Sequence, residues 1–269
     1  MSPTKSLLQE LLPACEQIAL KAGEAIMQVY QSDFAVTHKE DKSPVTEADL
    51  AADRVIETGL KELTPDWPIL SEESATIPFE IRRQWSTYWL IDPLDGTREF
   101  VKRNGEFTVN IALVHEHEVV LGVVHAPVPG KTWSAARGLG ASYFSTEPSS
   151  RKQIQASELD MENLTVMISR SHASEKVKTF LKSIKPRQTI SSGSSIKLCM
   201  VAAGEADLYA RLGLTSEWDT AAAQCVVEEA GGHLTDTQMK PLRYNTKDSL
   251  LNPEFFVFGK TWYDWSLHL

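Results

Sequence analysis

The sequence predicts an α/β protein in which an N-terminal α+β lobe and a C-terminal α/β lobe share a cleft. Three observations support this class: apolar residues at helical spacing near the N-terminus, a run of short β-branched segments in the middle, and alternating strand and helix patterns in the second half. With 269 residues, of which 42% are hydrophobic, the chain is long enough to bury a substantial core.

The beginning of the chain is predicted to form two helices. Apolar residues recur at helical spacing through the first thirty residues, which indicates a long amphipathic helix. A second helix is expected after Ser43, with Pro44 in an early position and Thr46 as the cap. It should run to about Leu63, because the segment Pro65-Asp66-Trp67-Pro68 ends it.

The middle of the chain has the periodicity of neighbouring strands. Short apolar and β-branched runs are separated there by turn residues. They are Thr87 to Ile91, Phe107 to Val114, Val119 to His125, Trp133 to Ala136 and Ala141 to Phe144. The segment His115-Glu116-His117-Glu118 contains residue types that bind metals, but its place between two of these runs favours a polar hairpin loop.

The second half alternates between strand and helix patterns. The polar stretch from Ser145 to Glu158 has no periodic signal, and we place the lobe boundary in it, with the lobes at residues 1–150 and 151–269. The elements expected after it are a strand near Leu164 to Ile168, a helix near Ser174 to Ile184, a short strand before Ser191, a helix from Ser194 to Ala203, a strand from Ala206 to Ala210 and a helix from Thr220 to Ala230.

Charge and cysteine content narrow the class of protein. The formal net charge of −9 argues against a nucleic-acid polymer as partner, although metal ions or local basic groups would still admit a small anion. Three cysteines without zinc spacing favour a reducing compartment. Neither a signal peptide nor a membrane-spanning run is apparent, so we expect a cytoplasmic protein.

The most informative motif is Asp92-Pro93-Leu94-Asp95-Gly96-Thr97, in which an apolar strand stops at two carboxylates. Pro93 fixes its own φ and Gly96 permits a sharp turn, so both acids and the Leu94 carbonyl can converge on one point. Oxygen ligands that converge in this way suit Mg²⁺. The alternative is an Asp-rich β-turn, since Asp, Pro and Gly are the usual turn residues.

Three further acidic positions each have a structural alternative. Glu72 and Glu73 follow a short apolar run, but adjacent surface acids are usually only solvated. Asp219 stands directly before an Ala-rich helix, where Asp is a preferred N-cap, and Trp218 beside it is expected to be a packing anchor. Asp49 lies in the first turn of a helix, where an acid favours the helix dipole.

Taken in order, these acidic motifs resemble those of the inositol monophosphatase superfamily, which are lithium-sensitive, magnesium-dependent phosphomonoesterases. Within that superfamily the chain looks most like the CysQ-type 3'(2'),5'-bisphosphate nucleotidases, over essentially its whole length. The segments that carry this likeness are Thr97 to Leu113, Gly193-Ser194-Ser195-Ile196-Lys197 and Leu208-Tyr209-Ala210-Arg211. Arg98 departs mildly from the pattern, because Lys is expected there in many members.

The resemblance implies the layered αβαβα fold of sugar phosphatases and a role for each motif. The implied ligands of two or three Mg²⁺ ions are Glu72, Asp92, the Leu94 carbonyl, Asp95 and Asp219. The implied catalytic residues are Thr97, which would orient or deprotonate the attacking water, Asp49, which would hold Thr97, and Glu72, which would assist.

Substrate contacts are expected from both halves of the chain. The backbone N–H groups of Gly96 and Thr97 would face the reacting phosphate, near Asp219. The plausible holders of a second phosphate or of the adenosine are the segment Ser169-Arg170-Ser171-His172, Ser194, Lys197 and Arg211. Ser194 is expected to open a helix whose amides help. Ordinary surface charge is the alternative for Lys197 and Arg211.

The expected reaction is hydrolysis of adenosine 3',5'-bisphosphate to AMP and phosphate, with 3'-phosphoadenylyl sulfate as a further candidate substrate, which links the chain to sulfur assimilation. An inositol or sugar monophosphate is the alternative substrate. A phosphometabolite- or partner-binding protein without catalysis is the alternative from another class, but every expected ligand position retains an oxygen donor. A peripheral position on the cytoplasmic face of the inner membrane is the alternative location.

Overall fold

Two main β-sheets, with helices between and around them, make up the computed structural model, which describes residues 3–32, 36–38, 44–74, 76–145, 151–170 and 174–269. The α-helices of the described residues are α1 (Lys5–Tyr30), α2 (Glu47–Leu63), α3 (Phe79–Arg82), α4 (Thr97–Val101), α5 (Glu175–Ile184), α6 (Ile196–Ala202) and α7 (Glu217–Glu229). A small antiparallel pair is formed by β1 (Val36–His38) and β2 (Pro44–Thr46).

The larger sheet has seven strands, which follow one another in chain order. They are β3 (Ile69–Ser71), β4 (Thr87–Asp95), β5 (Thr108–His115), β6 (Glu118–Ala126), β7 (Lys131–Ala136), β8 (Gly140–Ser145) and β9 (Lys152–Ile154). Only the pair of β3 and β4 is parallel, and the others are antiparallel. This arrangement accounts for the five strand runs predicted from the sequence.

The smaller sheet has five strands and mixed directions. They are β10 (Thr165–Ser169), β11 (Gln188–Ser192), β12 (Leu208–Arg211), β13 (His233–Asp236) and β14 (Phe255–Phe258). Their spatial order is β11-β10-β12-β14-β13, in which β10 pairs in parallel with β11 and β12, and β14 pairs antiparallel with β12 and β13.

One face of the larger sheet packs against α1 and α2. Trp89 and Ile91 of β4 share a buried cluster with residues of these helices, whereas Leu90 between them belongs to the cluster on the opposite face. This division follows from the alternation of side chains along a strand. The first two layers of the fold are therefore helix and sheet.

Helices α6 and α7 lie between the two sheets. Their buried residues form one cluster with Leu90 and Ala112 from the larger sheet and with Tyr209 and Val257 from the smaller. The backbone of α7 approaches β6 closely at Gly122, where an added Cβ would overlap the Ala222 carbonyl. The middle layer therefore joins both sheets through apolar contacts.

The outer face of the smaller sheet is covered by α5 and by the C-terminal 3-10 helix, Trp265–His268. Phe180 of α5 stacks on Phe256 of β14, with ring centroids 5.5 Å apart. The layer order is αβαβα, which confirms the predicted fold class. Among the described helices, none is both long and apolar enough to cross a bilayer.

Three predicted helix starts are wrong. Pro44 lies in β2, and α2 begins at Glu47, behind the correctly predicted Thr46 cap. Helix α6 begins at Ile196, because Ser194 has φ 45°, a left-handed conformation that cannot start a right-handed helix. Helix α7 begins at Glu217 and not at Thr220, since Ser216 caps it.

The predicted hairpin at His115–Glu118 is confirmed. Strand β5 ends at His115, β6 begins at Glu118, and the two residues between them have φ values of 49° and 67°. The division into lobes at residue 150 stays a prediction, and β9, just beyond it, pairs with β8 in the larger sheet. Cys15, Cys199 and Cys225 are buried and form no disulfide.

Candidate metal centre

The Asp92–Asp95 segment forms the end of β4. The pairing with β5 shifts register between these two acids, around Pro93, which has no N–H for the ladder. Gly96 follows with φ 95°, and a Cβ on it would approach the Glu106 carbonyl oxygen to 3.1 Å. The chain therefore leaves the sheet at the two acids through an irregular strand end and not through an Asp-rich β-turn.

Three carboxylates from two elements meet at this strand end. Asp92 and Asp95 come from β4 and Asp219 from the first turn of α7, and one oxygen of each lies within 4.8 Å of the others. Asp92 is 1% exposed. Glu72, in the 3-10 turn after β3, and Leu94 line the same cleft. The structure thus brings together acids from three separate motifs.

Asp92 has one oxygen that the protein leaves without a partner. Its Oδ1 accepts a hydrogen bond from the Leu94 N–H at 3.0 Å, whereas its Oδ2 is buried and has no hydrogen-bond partner among the described residues. A buried carboxylate oxygen without a donor is unfavourable, and a hard divalent cation shared with neighbouring carboxylates would satisfy it. The residues present therefore fit the Mg²⁺ that the resemblance implies.

Burial and mutual repulsion raise the pKa values of the three acids. Desolvation raises the pKa of Asp92 and of Asp219 well above the usual carboxylate range, and the charges of neighbouring acids, Glu72 among them, add to the shift. Burial also raises the pKa of Asp95, but Lys197 and hydrogen bonds from Ser195 oppose that rise. A cation would displace protons from this cluster, so its binding must depend on pH.

Asp49 and Thr97 form a pair beside the cluster. Asp49 is 2% exposed, and its Oδ2 accepts hydrogen bonds from the Thr46 backbone N–H at 2.8 Å and from the Thr46 hydroxyl at 2.7 Å. Its Oδ1 accepts from the Thr97 hydroxyl at 3.2 Å. Burial raises the pKa of Asp49. The contact between the two residues is present, and their catalytic role stays a prediction.

Lys197 and Arg211 bring positive charge to the cleft, which has a volume of about 520 Å³. Lys197 is only 5% exposed, and its Nζ donates to the Ser194 carbonyl at 2.6 Å. Burial lowers the pKa of Lys197 to about 8. Arg211 is half-buried and donates to the Leu214 carbonyl at 2.7 Å. Ordinary surface charge is therefore the wrong interpretation for Lys197.

The other predicted substrate contacts are only partly within the described chain. Gly96, Ser169 and Ser194 line the cleft, and the Ser194 Oγ is buried without a hydrogen-bond partner among the residues that the structure describes. His172 lies outside the described residues. The prediction that it contacts substrate stays open.

Arg170 and Trp218 have structural contacts. The Arg170 guanidinium makes two hydrogen bonds of 2.6 Å to the Glu106 carboxylate, which joins the end of β10 to the loop before β5. Trp218 packs against the core cluster between the sheets, as expected for an anchor, and also lines the cleft.

Sequence reasoning missed two polar residues next to the cluster. Ser195 donates to Asp95, and Asn110 of β5 donates to Ser195 from 85 positions away in the chain. Asn110 stands inside an apolar strand pattern, and nothing in that pattern indicates a distant polar neighbour. Ser195 stands in the Gly-Ser-Ser segment used for the resemblance, but no local pattern distinguishes its role from that of Ser194.

The αβαβα fold and the carboxylate cluster at the end of β4 define a layered α/β protein with a candidate metal site. The chain belongs to the Inositol monophosphatase family, which it matches over residues 7–264. Its match thus includes every acid of the cluster and the Asp49–Thr97 pair.

Curated relatives and a solved structure agree with this assignment. The chain is 51% identical over 243 residues to the 3'(2'),5'-bisphosphate nucleotidase CysQ of Escherichia coli (strain K12). This match covers 90% of this chain and 96% of the relative. It is 42% identical over 260 residues to CysQ of Aggregatibacter actinomycetemcomitans, with coverage of 96% and 94%. The crystal structure of CysQ from Bacteroides thetaiotaomicron superposes with a TM-score of 0.80 at 40% identity, covering 92% of this chain and 96% of that one.

Proposed function

We propose that this protein is a Mg²⁺-dependent phosphomonoesterase that hydrolyses adenosine 3',5'-bisphosphate to AMP and phosphate. The observation that carries the proposal is one cleft with an acidic cluster, including the unpartnered Asp92 oxygen, and the buried cation Lys197. A substrate with two phosphates suits such a cleft. The names of the CysQ relatives support the same substrate class.

The metal side of the proposed site is built from oxygen donors. The proposed ligands of two or three Mg²⁺ ions are Glu72, Asp92, the Leu94 carbonyl, Asp95 and Asp219. When bound, such ions neutralise phosphate oxygens and lower the pKa of the attacking water. The backbone N–H groups of Gly96 and Thr97 would stabilise charge on the reacting phosphate.

Thr97 and Asp49 are proposed to receive the proton of the attacking water, with Glu72 assisting. Thr97 Oγ1 donates its own hydrogen to Asp49 Oδ1, so its lone pairs are oriented to accept one from water. As the water oxygen bonds to phosphorus and the bond from phosphorus to the ribose oxygen breaks, the water proton passes to Thr97 and the Thr97 proton to Asp49. The released ribose oxygen takes up a proton from solvent water, which gives the hydroxyl of AMP. The raised pKa of Asp49 makes it a better proton acceptor.

The second phosphate or the nucleoside is proposed to lie against Lys197 and Arg211, together with Ser169, His172 and Ser194. The partnerless hydroxyl of Ser194 supports this assignment, because a phosphate oxygen would accept its proton. Three buried free cysteines support a reducing, cytoplasmic setting for the enzyme.

A phosphate-release assay tests the proposal. Adenosine 3',5'-bisphosphate, 3'-phosphoadenylyl sulfate, an inositol monophosphate and a sugar monophosphate are compared at one Mg²⁺ concentration. We expect the bisphosphate to be preferred and Lys197→Met to reduce its kcat/KM more than that of the monophosphates. A preference for inositol phosphate would replace the proposed substrate by the alternative one.

Asp95→Asn tests the chemistry itself. The variant keeps the size of the side chain but removes a charge from the cluster, so we expect phosphate release to fall by roughly a hundredfold or more. Unchanged release by Asp95→Asn, on any of these substrates, would show that the cluster is not the catalytic site.

A further inference from the structure

Ser195 stands where three elements of the fold meet. It directly precedes α6 and is 1% exposed. Its contacts reach Asp95 at the end of β4, Asn110 in β5 and the backbone of Asp219 in α7. It therefore joins the two chain segments that supply the acidic cluster.

The Asp95 carboxylate is held through one oxygen. The Ser195 backbone N–H donates to Asp95 Oδ2 at 2.7 Å, and the Ser195 hydroxyl lies 2.9 Å from the same oxygen. The N–H restricts the rotation of the carboxylate about its Cβ–Cγ bond, and the hydroxyl adds a second donor when its proton points to this oxygen. The other oxygen, Oδ1, receives no hydrogen bond from Ser195.

The hydroxyl of Ser195 has its own orientation fixed by Asn110. The Asn110 Nδ2 donates to Ser195 Oγ at 2.9 Å, so one lone pair of the hydroxyl is used. The single hydroxyl proton is directed at one of two acceptors, Asp95 Oδ2 at 2.9 Å or the Asp219 carbonyl at 2.8 Å. When the proton points to Asp219, Ser195 links all three elements, because its backbone N–H still donates to Asp95 Oδ2. When the proton points to Asp95, the hydroxyl joins β4 to β5.

The local backbone explains why Ser195 reaches these partners. Ser194 before it has φ 45°, a left-handed conformation that reverses the chain between β11 and α6. The reversal turns the Ser195 N–H and hydroxyl towards the end of β4. Lys197 points its Nζ back to the Ser194 carbonyl, which stabilises the same turn.

We propose that Ser195 is a positioning residue for the metal centre: it sets the orientation of the Asp95 carboxylate and the spacing between Asp95 and Asp219 that a divalent cation requires. The inference rests on the proposed function, since it assigns a role in the same cleft. Groups that orient metal ligands in this way change metal affinity by about tenfold to a hundredfold when they are removed.

Direct titration with Mn²⁺, followed by electron paramagnetic resonance, tests this role on the full-length chain. Mn²⁺ serves as the probe because it prefers the same carboxylate oxygens as Mg²⁺. We expect Ser195→Ala to weaken Mn²⁺ binding by about tenfold or more. In phosphate release, the Mg²⁺ concentration for half-maximal rate should rise by a similar factor, with a smaller change in kcat at saturating Mg²⁺.

Ser134→Ala is the matched control. Ser134 is also a buried serine whose hydroxyl donates to a carboxylate, at 2.6 Å to Glu16 Oε1, but it belongs to β7 and does not line the cleft. Its loss should lower the melting temperature and leave Mn²⁺ affinity unchanged. Asn110→Leu is a second variant of similar size, which keeps the Ser195 hydroxyl but frees its rotation, and we expect it to weaken Mn²⁺ binding by a smaller factor.

Two results would overturn the inference while leaving the proposed function intact. One is Mn²⁺ affinity in Ser195→Ala within twofold of the wild type. The other is equal weakening in Ser195→Ala and Ser134→Ala, which would indicate general destabilisation. If the wild-type chain itself bound no Mn²⁺ and released no phosphate, the proposed function would fail together with the inference, so the two failures are distinguishable.

Discussion

Lys197 is a buried ammonium group in a chain of formal net charge −9. Loss of hydration lowers its pKa to about 8, although the charge of Asp95 favours the protonated form. The group therefore changes charge close to neutral pH, whereas an exposed lysine would stay charged. If it holds a phosphate, substrate binding depends on this proton.

Deprotonation of Lys197 should weaken substrate binding as pH rises. Below about pH 8 Lys197 is protonated and attracts the second phosphate, and above it the attraction is lost. We expect kcat/KM for adenosine 3',5'-bisphosphate to fall as pH rises through that value. In Lys197→Arg the guanidinium stays charged, so the falling limb should move to higher pH even if the maximum is lower. A limb at the same pH in both proteins would assign the titration to another group.

Single acids were easier to predict than their supporting contacts. Asp92 and Asp95 could be identified because a rare motif places two acids at a strand end. Asp49 and Asp219 needed the order of several motifs, because each also suits a helix start. Ser195 and Asn110 could not be identified, since their hydrogen bonds depend on how β5 and α6 pack, which no local pattern encodes.

At the scale of elements, α2 and α7 begin in the same way. Each has a capping box, in which a Ser or Thr cap pairs with an Asp three residues later: Thr46 with Asp49 and Ser216 with Asp219. Asp219 Oδ2 accepts from the Ser216 N–H at 2.8 Å and still belongs to the acidic cluster. The structural and functional interpretations of these acids are thus compatible, because a carboxylate has two oxygens.

Thr46→Ala separates helix capping from catalysis when compared with Thr4→Ala. Thr4 caps α1 by accepting a hydrogen bond from the Leu7 N–H at 3.2 Å and does not line the cleft. We expect each variant to lose about 1 kcal/mol of unfolding free energy. Only Thr46→Ala should also lower kcat, by roughly tenfold or more, because the Asp49 carboxylate loses a partner and can rotate away from Thr97.

Chemical denaturation and phosphate release at saturating Mg²⁺ are the two measurements for this pair. A normal kcat in Thr46→Ala would mean that Asp49 does not need this support. An equal loss of kcat in Thr4→Ala would mean that stability alone explains the effect.

Elements were predicted best where a local pattern determines them. The Thr46 cap and five of the seven strands of the larger sheet, β4 to β8, follow from spacing and β-branched runs and were predicted correctly, whereas β3 and β9 were not predicted. Strands β13 and β14 were both missed, β14 despite its apolar sequence, because no alternating strand and helix pattern continues after α7 and their pairing depends on the fold of the smaller sheet. The predicted start of α7 at Thr220 is three residues too late, because Asp219 is a residue type preferred at an N-cap, whereas it is the third residue of the helix.

At the scale of the whole molecule, the acidic cluster sets how stability depends on pH and metal. The folded state raises the pKa of Asp92, Asp95 and Asp219, so it binds protons that the unfolded chain releases. The stability of the metal-free protein should therefore fall as pH rises from the ordinary carboxylate pKa towards these raised values. A divalent cation binds the ionised form and reverses that loss.

Thermal unfolding with and without Mg²⁺ tests this linkage. At about a hundredfold excess over Kd, a ligand that binds only the folded state adds about 2.7 kcal/mol. We expect Mg²⁺ to raise the melting temperature clearly at about pH 8 and much less at about pH 5, where the acids keep protons. There are two controls: the Asp92→Asn variant with Mg²⁺, and the wild-type protein with NaCl at equal ionic strength. Neither should show the shift in melting temperature. A shift independent of pH would contradict the assignment.

The close approach of α7 to β6 at Gly122 has a consequence for how this site tolerates change. The main chain of β6 lies against the Ala222 carbonyl of α7 there. Gly122 therefore influences how deep Asp219 lies relative to Asp92 and Asp95, although Gly122 does not line the cleft. We expect Gly122→Ala to lift the helix and abolish Mn²⁺ binding and turnover together, while Gly138→Ala, where a Cβ meets nothing within 4 Å but φ is 73°, should only destabilise the chain modestly. The main-chain contact at Gly122 would thus determine the depth of α7 as a whole, and the Ser195 hydroxyl would adjust the acids within the limits that this contact leaves.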